Sequence, residues 1–199
     1  MSPRHFRILV TFGAFCAGLV FCFALVLLMV GGPSAPGVPT AAPIGGPFSL
    51  VDQDGATVTD QDFRGRPFLV FFGFTHCPDV CPTTLFEVSE IMRKLGPDAE
   101  RVRVAFITVD PERDTPQALK EYMSSFDPRL KGLTGDVPAI TAVAKAYRVY
   151  FKKVPLEPEG YTMDHTAIVY LMDKEGRFVA PFSLKRTSEA AVADLRKRL

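Results

Sequence analysis

The stretch FLVFFGFTHCPDVCP, residues 68–82, decides which fold the sequence predicts. Residues 68–74 form a short aromatic and β-branched run, which is typical of a strand buried on both faces. Cys77 and Cys81 follow in a loop, and residues 83–95 have a helical pattern. The thiols therefore lie at a helix N-terminus, where unpaired N–H groups and the positive end of the helix dipole favour thiolate over thiol.

Composition excludes several classes of protein. The chain has 199 residues, of which 47% are hydrophobic and 23% are charged, and its net charge is +1. This length suits one domain with additional segments, and the absence of a basic excess argues against a nucleic-acid partner. Of the four cysteines, Cys16 and Cys22 lie in an N-terminal apolar segment. The single remaining pair is too small for a disulfide framework.

The N-terminus predicts a membrane anchor. Residues 1–7 carry Arg4, His5 and Arg7, and residues 8–30 carry no charge. As a helix, this uncharged segment would extend about 34 Å, enough to cross a bilayer. Basic residues before it place residues 1–7 in the cytoplasm and the rest outside, which in a bacterium means an inner-membrane protein with a periplasmic domain. A cleaved signal peptide is the alternative, but its apolar region would be only about 7–15 residues long.

Residues 31–47, rich in Gly, Pro and Ala, predict a linker to a single domain over residues 48–199. Strands are expected at 48–51, 57–59, 68–74, 101–109, 130–133, 148–154, 166–172 and 177–182, with helices at 83–95, 116–125, 137–147 and 188–199. Asp114 or Thr115, Asp136 and Ser188 are the expected N-caps of the last three helices. Residues 155–160 are expected to form a loop.

This order predicts an α/β fold with parallel crossovers, an N-terminal β-hairpin and a C-terminal β-hairpin. Ligands on such sheets bind beyond the carboxyl ends of the parallel strands. Cys77 and Cys81 follow one such end, and Asp110 follows another. We therefore expect these residues to be neighbours in space despite their separation in the chain.

Four segments together resemble the Sco (SenC/PrrC) family: DFRGRP at 62–67, FGFTHCPDVCP at 72–82, VDPERDT at 109–115 and DHT at 164–166. Members of this family are thioredoxin-like, membrane-anchored copper proteins that help to assemble the copper centre of cytochrome c oxidase. The resemblance covers residues 48–199. A bare C-x-x-x-C pattern is weak evidence, but its combination with the other segments in this order is specific.

The two cysteines have three interpretations. A structural disulfide would close so short a loop that it would constrain little of the unfolded chain. A purely redox-active pair usually has the C-x-x-C spacing, which is one residue shorter. Two thiolates suit Cu(I), which is a soft ion, and the resemblance implies that Cys77 and Cys81 are copper ligands.

A lone histidine such as His165 is more often a core or surface residue than a ligand. The resemblance implies instead that it is the third copper ligand, one that improves Cu(II) binding. The loop near residues 157–163 is expected to move when the metal enters. His76 is left out of the site, because neighbouring side chains of an extended segment point in opposite directions.

Asp110 could be a simple turn residue, because Asp-Pro is common in turns. In the family, the matching aspartate lies near the copper site and influences redox behaviour. We expect Asp110 to act beside the ligands and not as one of them, since a carboxylate is a hard donor. Asp114 is expected to cap the helix that follows.

The resemblance implies a metallochaperone, not an enzyme, that carries copper to the CuA centre of cytochrome c oxidase. Its partners would be the copper-bearing oxidase subunit and an upstream copper donor or thiol reductant. A thiol-disulfide oxidoreductase that keeps the oxidase cysteines reduced is the alternative, and it would use the same Cys77–Cys81 pair. A membrane-tethered sensor of copper or redox state also remains open.

Overall fold

The structure is a computed structural model that describes residues 3–29 and 43–199. Its contacts divide the chain into two compact units, Met1–Ala42 and Pro43–Leu199. The first unit contains helix α1, Pro3–Met29, on which the side chains of residues 11–26 are exposed. Across the described residues, no helix combines the length and the hydropathy needed to cross a membrane. Most of the predicted linker, residues 31–42, lies outside the described residues.

The second unit is built on a seven-stranded sheet with the strand order β2-β1-β5-β4-β3-β8-β9. Its strands are β1 (Ser49–Asp52), β2 (Thr57–Thr59), β3 (Phe68–Gly73), β4 (Arg103–Thr108), β5 (Leu130–Thr134), β8 (Val169–Met172) and β9 (Phe178–Pro181). β3, β4 and β5 are parallel, and the other pairings are antiparallel. The three parallel strands therefore end at one edge, the edge where a ligand site is expected.

β3 is the centre of this arrangement, as its apolar sequence predicts. All six of its residues are buried, and it pairs with β4 on one side and β8 on the other. A strand with neighbours on both edges and packing on both faces needs an apolar residue at nearly every position. This explains why the run does not alternate between apolar and polar residues.

The helices of this unit are α2 (Val80–Leu95), α3 (Pro116–Met123), α4 (Val137–Ala146) and α5 (Ser188–Arg196), with 3₁₀ helices at Asp60–Phe63 and Gly96–Arg101. Asp136 caps α4 as predicted, because its side chain accepts a hydrogen bond from Ala139 N. The predicted cap of α5 is wrong by one residue: Thr187 accepts from Ala190 N, and Ser188 is the first helical residue. α2 packs against α5, and α3 packs on β5.

Both predicted hairpins of the sheet are confirmed, β1–β2 at the N-terminus and β8–β9 at the C-terminus. The first strand of the C-terminal hairpin begins at Val169 and not at residue 166. Thr166 does not belong to this strand, because its backbone N–H donates to Tyr150 O, just before β6, at 2.9 Å.

A further hairpin was not predicted. β6 (Phe151–Pro155) pairs with β7 (Tyr161–His165) in a separate two-stranded antiparallel sheet. The predicted loop at residues 155–160 is only the turn of this hairpin, closed by a hydrogen bond from Leu156 N to Gly160 O at 3.1 Å. His165 is thus the last residue of a strand, where the sequence predicted only the approach to one.

Candidate metal centre

The cysteine loop joins the end of β3 to the start of α2. Cys77 N donates to Phe74 O at 3.2 Å, and Cys81 N donates to Cys77 Sγ at 3.4 Å. Cys81 lies in the first turn of α2, so an N–H group with no partner inside the helix points at the sulfur of Cys77. Both cysteines are free thiols; Cys77 is half-buried and Cys81 is fully buried.

Gly73 makes room for the buried sulfur. A Cβ atom at Gly73 would lie 2.8 Å from Cys81 Sγ and 2.6 Å from Phe106 Cε2, closer than van der Waals contact allows. The thiol therefore lies directly against the backbone at the end of β3. This close approach is the reason for glycine as the last residue of an otherwise bulky strand.

Burial changes the acidity expected of Cys81. Desolvation raises the pKa of this thiol far above its ordinary value, and the neighbouring Cys77 adds to the increase. The expectation that the helix N-terminus favours thiolate is therefore wrong for Cys81, because burial disfavours the charged form of this thiol. A metal that binds Cys81 must displace its proton.

His165 reaches the thiols from β7. Its Nε2 lies 3.8 Å from Cys81 Sγ, and its Nδ1 lies 3.1 Å from Thr166 O. A carbonyl oxygen only accepts, so Nδ1 carries the proton and the lone pair of Nε2 faces the sulfur. Burial lowers the pKa of His165, which keeps the ring neutral. The edge-to-face contact with Phe74, 5.7 Å between ring centroids, holds the ring from the side.

Cys81 thus contacts both Cys77 and His165. In residues 3–29 and 43–199, no three His, Cys, Asp or Glu side chains are arranged as a ready-made metal site. The donors nevertheless suit one kind of ion. Two sulfurs and a neutral imidazole nitrogen with a free lone pair are donors that suit copper, whereas hard cations prefer oxygen ligands.

Asp110 is buried and hydrogen-bonded on several sides. Arg113 Nε donates to its carboxylate, and Tyr161 OH donates to Asp110 Oδ1 at 2.9 Å. Its backbone N–H donates to Thr108 Oγ1 at 2.9 Å. Tyr161 belongs to β7, the strand that ends at His165. Asp110 is therefore connected to the candidate site through that strand.

Of the two residues expected to cap α3, Asp114 is the wrong one. Thr115 is the cap, because its side chain accepts from Ala118 N at 3.2 Å. The carboxylate of Asp114 is fully buried and accepts from Thr75 N at 3.0 Å, from Thr75 Oγ1 at 2.6 Å and from Thr108 Oγ1. It ties the loop after β4 to the start of the cysteine loop, two residues before Cys77.

His76 lies beside the site, and more than half of its side chain is exposed. Its Nδ1 is 3.0 Å from Thr75 Oγ1 and 4.0 Å from Asp114 Oδ1. These contacts turn the ring towards the Asp114 side of the loop.

Sequence reasoning missed Arg113 and Tyr161. The guanidinium carbon of Arg113 lies 3.8 Å from the ring centroid of Tyr161 and 5.9 Å from that of Phe74. The only local signal was that Arg113 lies in the loop after β4, at the carboxyl edge of the sheet. Tyr161 gave no signal, because it was placed in an expected loop.

Comparisons with known proteins agree with these features. The SCO1/SenC family model matches residues 37–199. The structure of Bradyrhizobium japonicum ScoI with copper bound is 62% identical, with a TM-score of 0.77, and the match covers 78% of this chain and 99% of that one. The human mitochondrial SCO1 homolog is 43% identical over an alignment of 157 positions, and the match covers 75% of this chain and 51% of the relative. The chain spans about half the length of that curated relative.

BsSco is a more distant neighbour, at 25% identity with a TM-score of 0.62, over 79% of this chain and 96% of its own. It has a disulfide switch and is described as a member of the Sco family of cytochrome c oxidase assembly proteins. These likenesses support the predicted thioredoxin-like α/β fold. Because the family model matches most of this chain, the chain belongs to the SCO1/SenC family.

Proposed function

We propose that this protein is a copper chaperone that delivers its cargo to the CuA centre of cytochrome c oxidase. One observation carries the proposal: the backbone N–H of Cys81 donates to Cys77 Sγ at 3.4 Å, and the buried sulfur of Cys81 lies 3.8 Å from His165 Nε2. The copper bound in a 62%-identical relative, and the oxidase-assembly role of the family, support it.

The proposed ligands divide the work between the two oxidation states of copper. Cys77 and Cys81 supply thiolate sulfur, which satisfies Cu(I), and His165 adds a nitrogen that improves Cu(II) binding. Asp110 is proposed to act beside the ligands through its contact with Tyr161.

The proposed order of ligand exchange follows from exposure. Cys77 is the more accessible of the two thiols, whereas Cys81 is fully buried. A cysteine of the oxidase subunit would therefore replace Cys77 first, while Cys81 and His165 keep hold of the ion. Loading requires both thiols to be reduced, so oxidation of the pair would prevent it.

The location belongs to the proposal and rests on the sequence. The uncharged residues 8–30 would anchor the chain in the inner membrane, with residues 1–7 in the cytoplasm and the domain in the periplasm. The partners would then be the copper-bearing oxidase subunit and a donor of copper or reducing equivalents in the same compartment.

The test is an anaerobic copper titration of the reduced full chain in detergent micelles, beside C77A, C81A and H165A variants. We expect one copper per chain, a sulfur-to-Cu(II) absorption band that H165A strongly alters, and loss of Cu(I) binding in either cysteine variant. H76A is the matched control, because it removes the neighbouring imidazole, and it should behave as the unmodified chain does. Absence of stoichiometric copper binding would overturn the proposal.

Thiol-disulfide exchange is the second candidate, and the neighbouring free thiols and the disulfide switch of BsSco favour it. A Cys77 thiolate would attack a disulfide of the oxidase subunit to form a mixed disulfide. Cys81 would then displace the second sulfur, so that the target gains two thiols and Cys77–Cys81 becomes a disulfide. H165A separates the two functions, because it should impair copper binding and leave dithiol exchange largely intact.

A further inference from the structure

The β6–β7 hairpin is attached to the rest of its unit by side chains and loop contacts, not by strand pairing. Neither strand pairs with the seven-stranded sheet, and β7 pairs with β6 alone. The position of His165 at the end of β7 therefore depends on whatever fastens this hairpin. Several described contacts join the hairpin, at Lys153 and Tyr161, to the loop between β4 and α3.

Tyr161, at the start of β7, is the main point of attachment. Its hydroxyl donates to Asp110 Oδ1 at 2.9 Å, and its carbonyl oxygen accepts from Arg113 Nη1 at 3.1 Å. Lys153, on the neighbouring strand β6, lies 3.9 Å from the centroid of the Tyr161 ring and forms an ion pair with Glu112 at 2.6 Å. Three residues of the loop after β4 thus hold two residues of the hairpin.

Arg113 connects this attachment to the histidine. Its guanidinium contacts the Tyr161 ring and, at 5.9 Å, the ring of Phe74. Phe74 in turn makes the edge-to-face contact with His165. Side chains at positions 161, 163 and 165 share one face of the strand, so a shift of Tyr161 moves His165 along the same face.

We propose that Tyr161 and Arg113 are positioning residues that set where the His165 imidazole lies relative to Cys81 Sγ. The inference rests on the proposed copper site and adds two residues to it. Tyr161 fixes the position of β7 along the strand direction. Arg113 fixes the Tyr161 side chain and the Phe74 ring that packs against His165.

The first test needs no copper. In the apo full chain in detergent micelles, NMR measures the nuclear Overhauser effect between the His165 and Phe74 rings. Y161F removes a single hydroxyl, and R113K keeps the charge but loses the planar fork that both stacks and donates. We expect the ring–ring effect to weaken in both variants. An unchanged effect in both would overturn the inference.

The second test uses Cu(II) and Cu(I) as separate probes. We expect Y161F and R113K to change the sulfur-to-Cu(II) band and the electron paramagnetic resonance signal, and to weaken Cu(II) binding about tenfold or more. The stoichiometry of Cu(I), which two thiolates satisfy, should stay at one per chain. A parallel loss of Cu(I) binding would indicate general unfolding of the site and would overturn a positioning role.

Matched controls are available elsewhere in the same unit. Y150F removes the hydroxyl of a tyrosine that is 55% exposed just before β6, and R177K changes an exposed arginine of the C-terminal hairpin. Both should match the unmodified chain in every readout, and equal effects there would contradict the inference. If the unmodified chain binds no copper, the proposed function fails, and the ring–ring effect still decides whether Tyr161 and Arg113 position His165.

Discussion

At the scale of single residues, Gly73 limits what the site can tolerate. The space that a Cβ would need there is occupied by Cys81 Sγ and by the ring of Phe106. Both neighbours are fully buried, so neither can rotate away into solvent. The position of the inner thiol is therefore set by the backbone of β3 as much as by its own helix.

We expect G73A to destabilise the protein by about 1–3 kcal/mol, since overpacking forces neighbours off their preferred geometry. It should also weaken Cu(I) binding, because the displaced group includes Cys81. Urea unfolding and competition with a Cu(I) chelator measure the two effects. G46A is the matched control: its new Cβ would meet Ala146 Cβ at an ordinary 3.5 Å. Equal effects of the two substitutions would contradict this explanation.

The contacts of two residues, Asp114 and Arg113, could not be predicted from the sequence. The role of Asp114 depends on Thr75, which is 39 positions away, and Arg113 reaches Tyr161 across 48 positions. A local pattern contains no information about such pairs. Asp114 precedes a helix, so capping was the natural local interpretation, and the buried network that it serves exists only once β3 and β4 lie side by side.

At the scale of elements, strong local patterns were sufficient for most of the fold. β3 is uniformly apolar, and the β1–β2 and β8–β9 hairpins have clear turn residues, so all three were predicted. The β6–β7 hairpin has weaker signals, because its short strands are mostly exposed or half-buried and carry adjacent lysines. It also contacts the loop after β4, and these contacts depend on residues about 40 to 50 positions away that a local pattern does not reveal.

The β1–β2 hairpin predicts a dependence of stability on pH. Burial alone would raise the pKa of Asp52, but hydrogen bonds from Lys131, Ala56 N and Asp54 N lower it below its ordinary value of 3.8. A lowered folded-state pKa stabilises the protein above pH 3.8, and this stabilisation is lost as the pH falls through the folded-state value.

D52N should therefore lower the free energy of unfolding by about 1–3 kcal/mol at pH 7, and the deficit should shrink below pH 4. Urea unfolding at pH 7, 4, 3 and 2 measures the difference between the two proteins. E121Q, at an exposed position on α3, serves as the control and should change little at any pH. A deficit that stays constant down to pH 2 would show that the charge of Asp52 is not responsible.

At the scale of the whole molecule, the proposed ligand set couples copper binding to protons. The raised pKa of Cys81 keeps this thiol protonated near neutral pH, so a metal must displace its proton. We expect the apparent Cu(I) affinity to rise with pH, about tenfold per unit for each proton released. Chelator competition between pH 6 and 8, together with proton release into a weak buffer, measures the coupling. Affinity that is independent of pH would contradict a protonated Cys81.

The separation of the β6–β7 hairpin from the main sheet has a further consequence. An element that shares no ladder hydrogen bonds with the sheet can open as a unit of its own, at a free energy below that of global unfolding. Under the proposed ligand set, such sub-global opening would remove the nitrogen donor and leave both sulfur donors in place. The protein would then release Cu(II) more readily than Cu(I). Amide hydrogen exchange in β7 would also be faster than in β3.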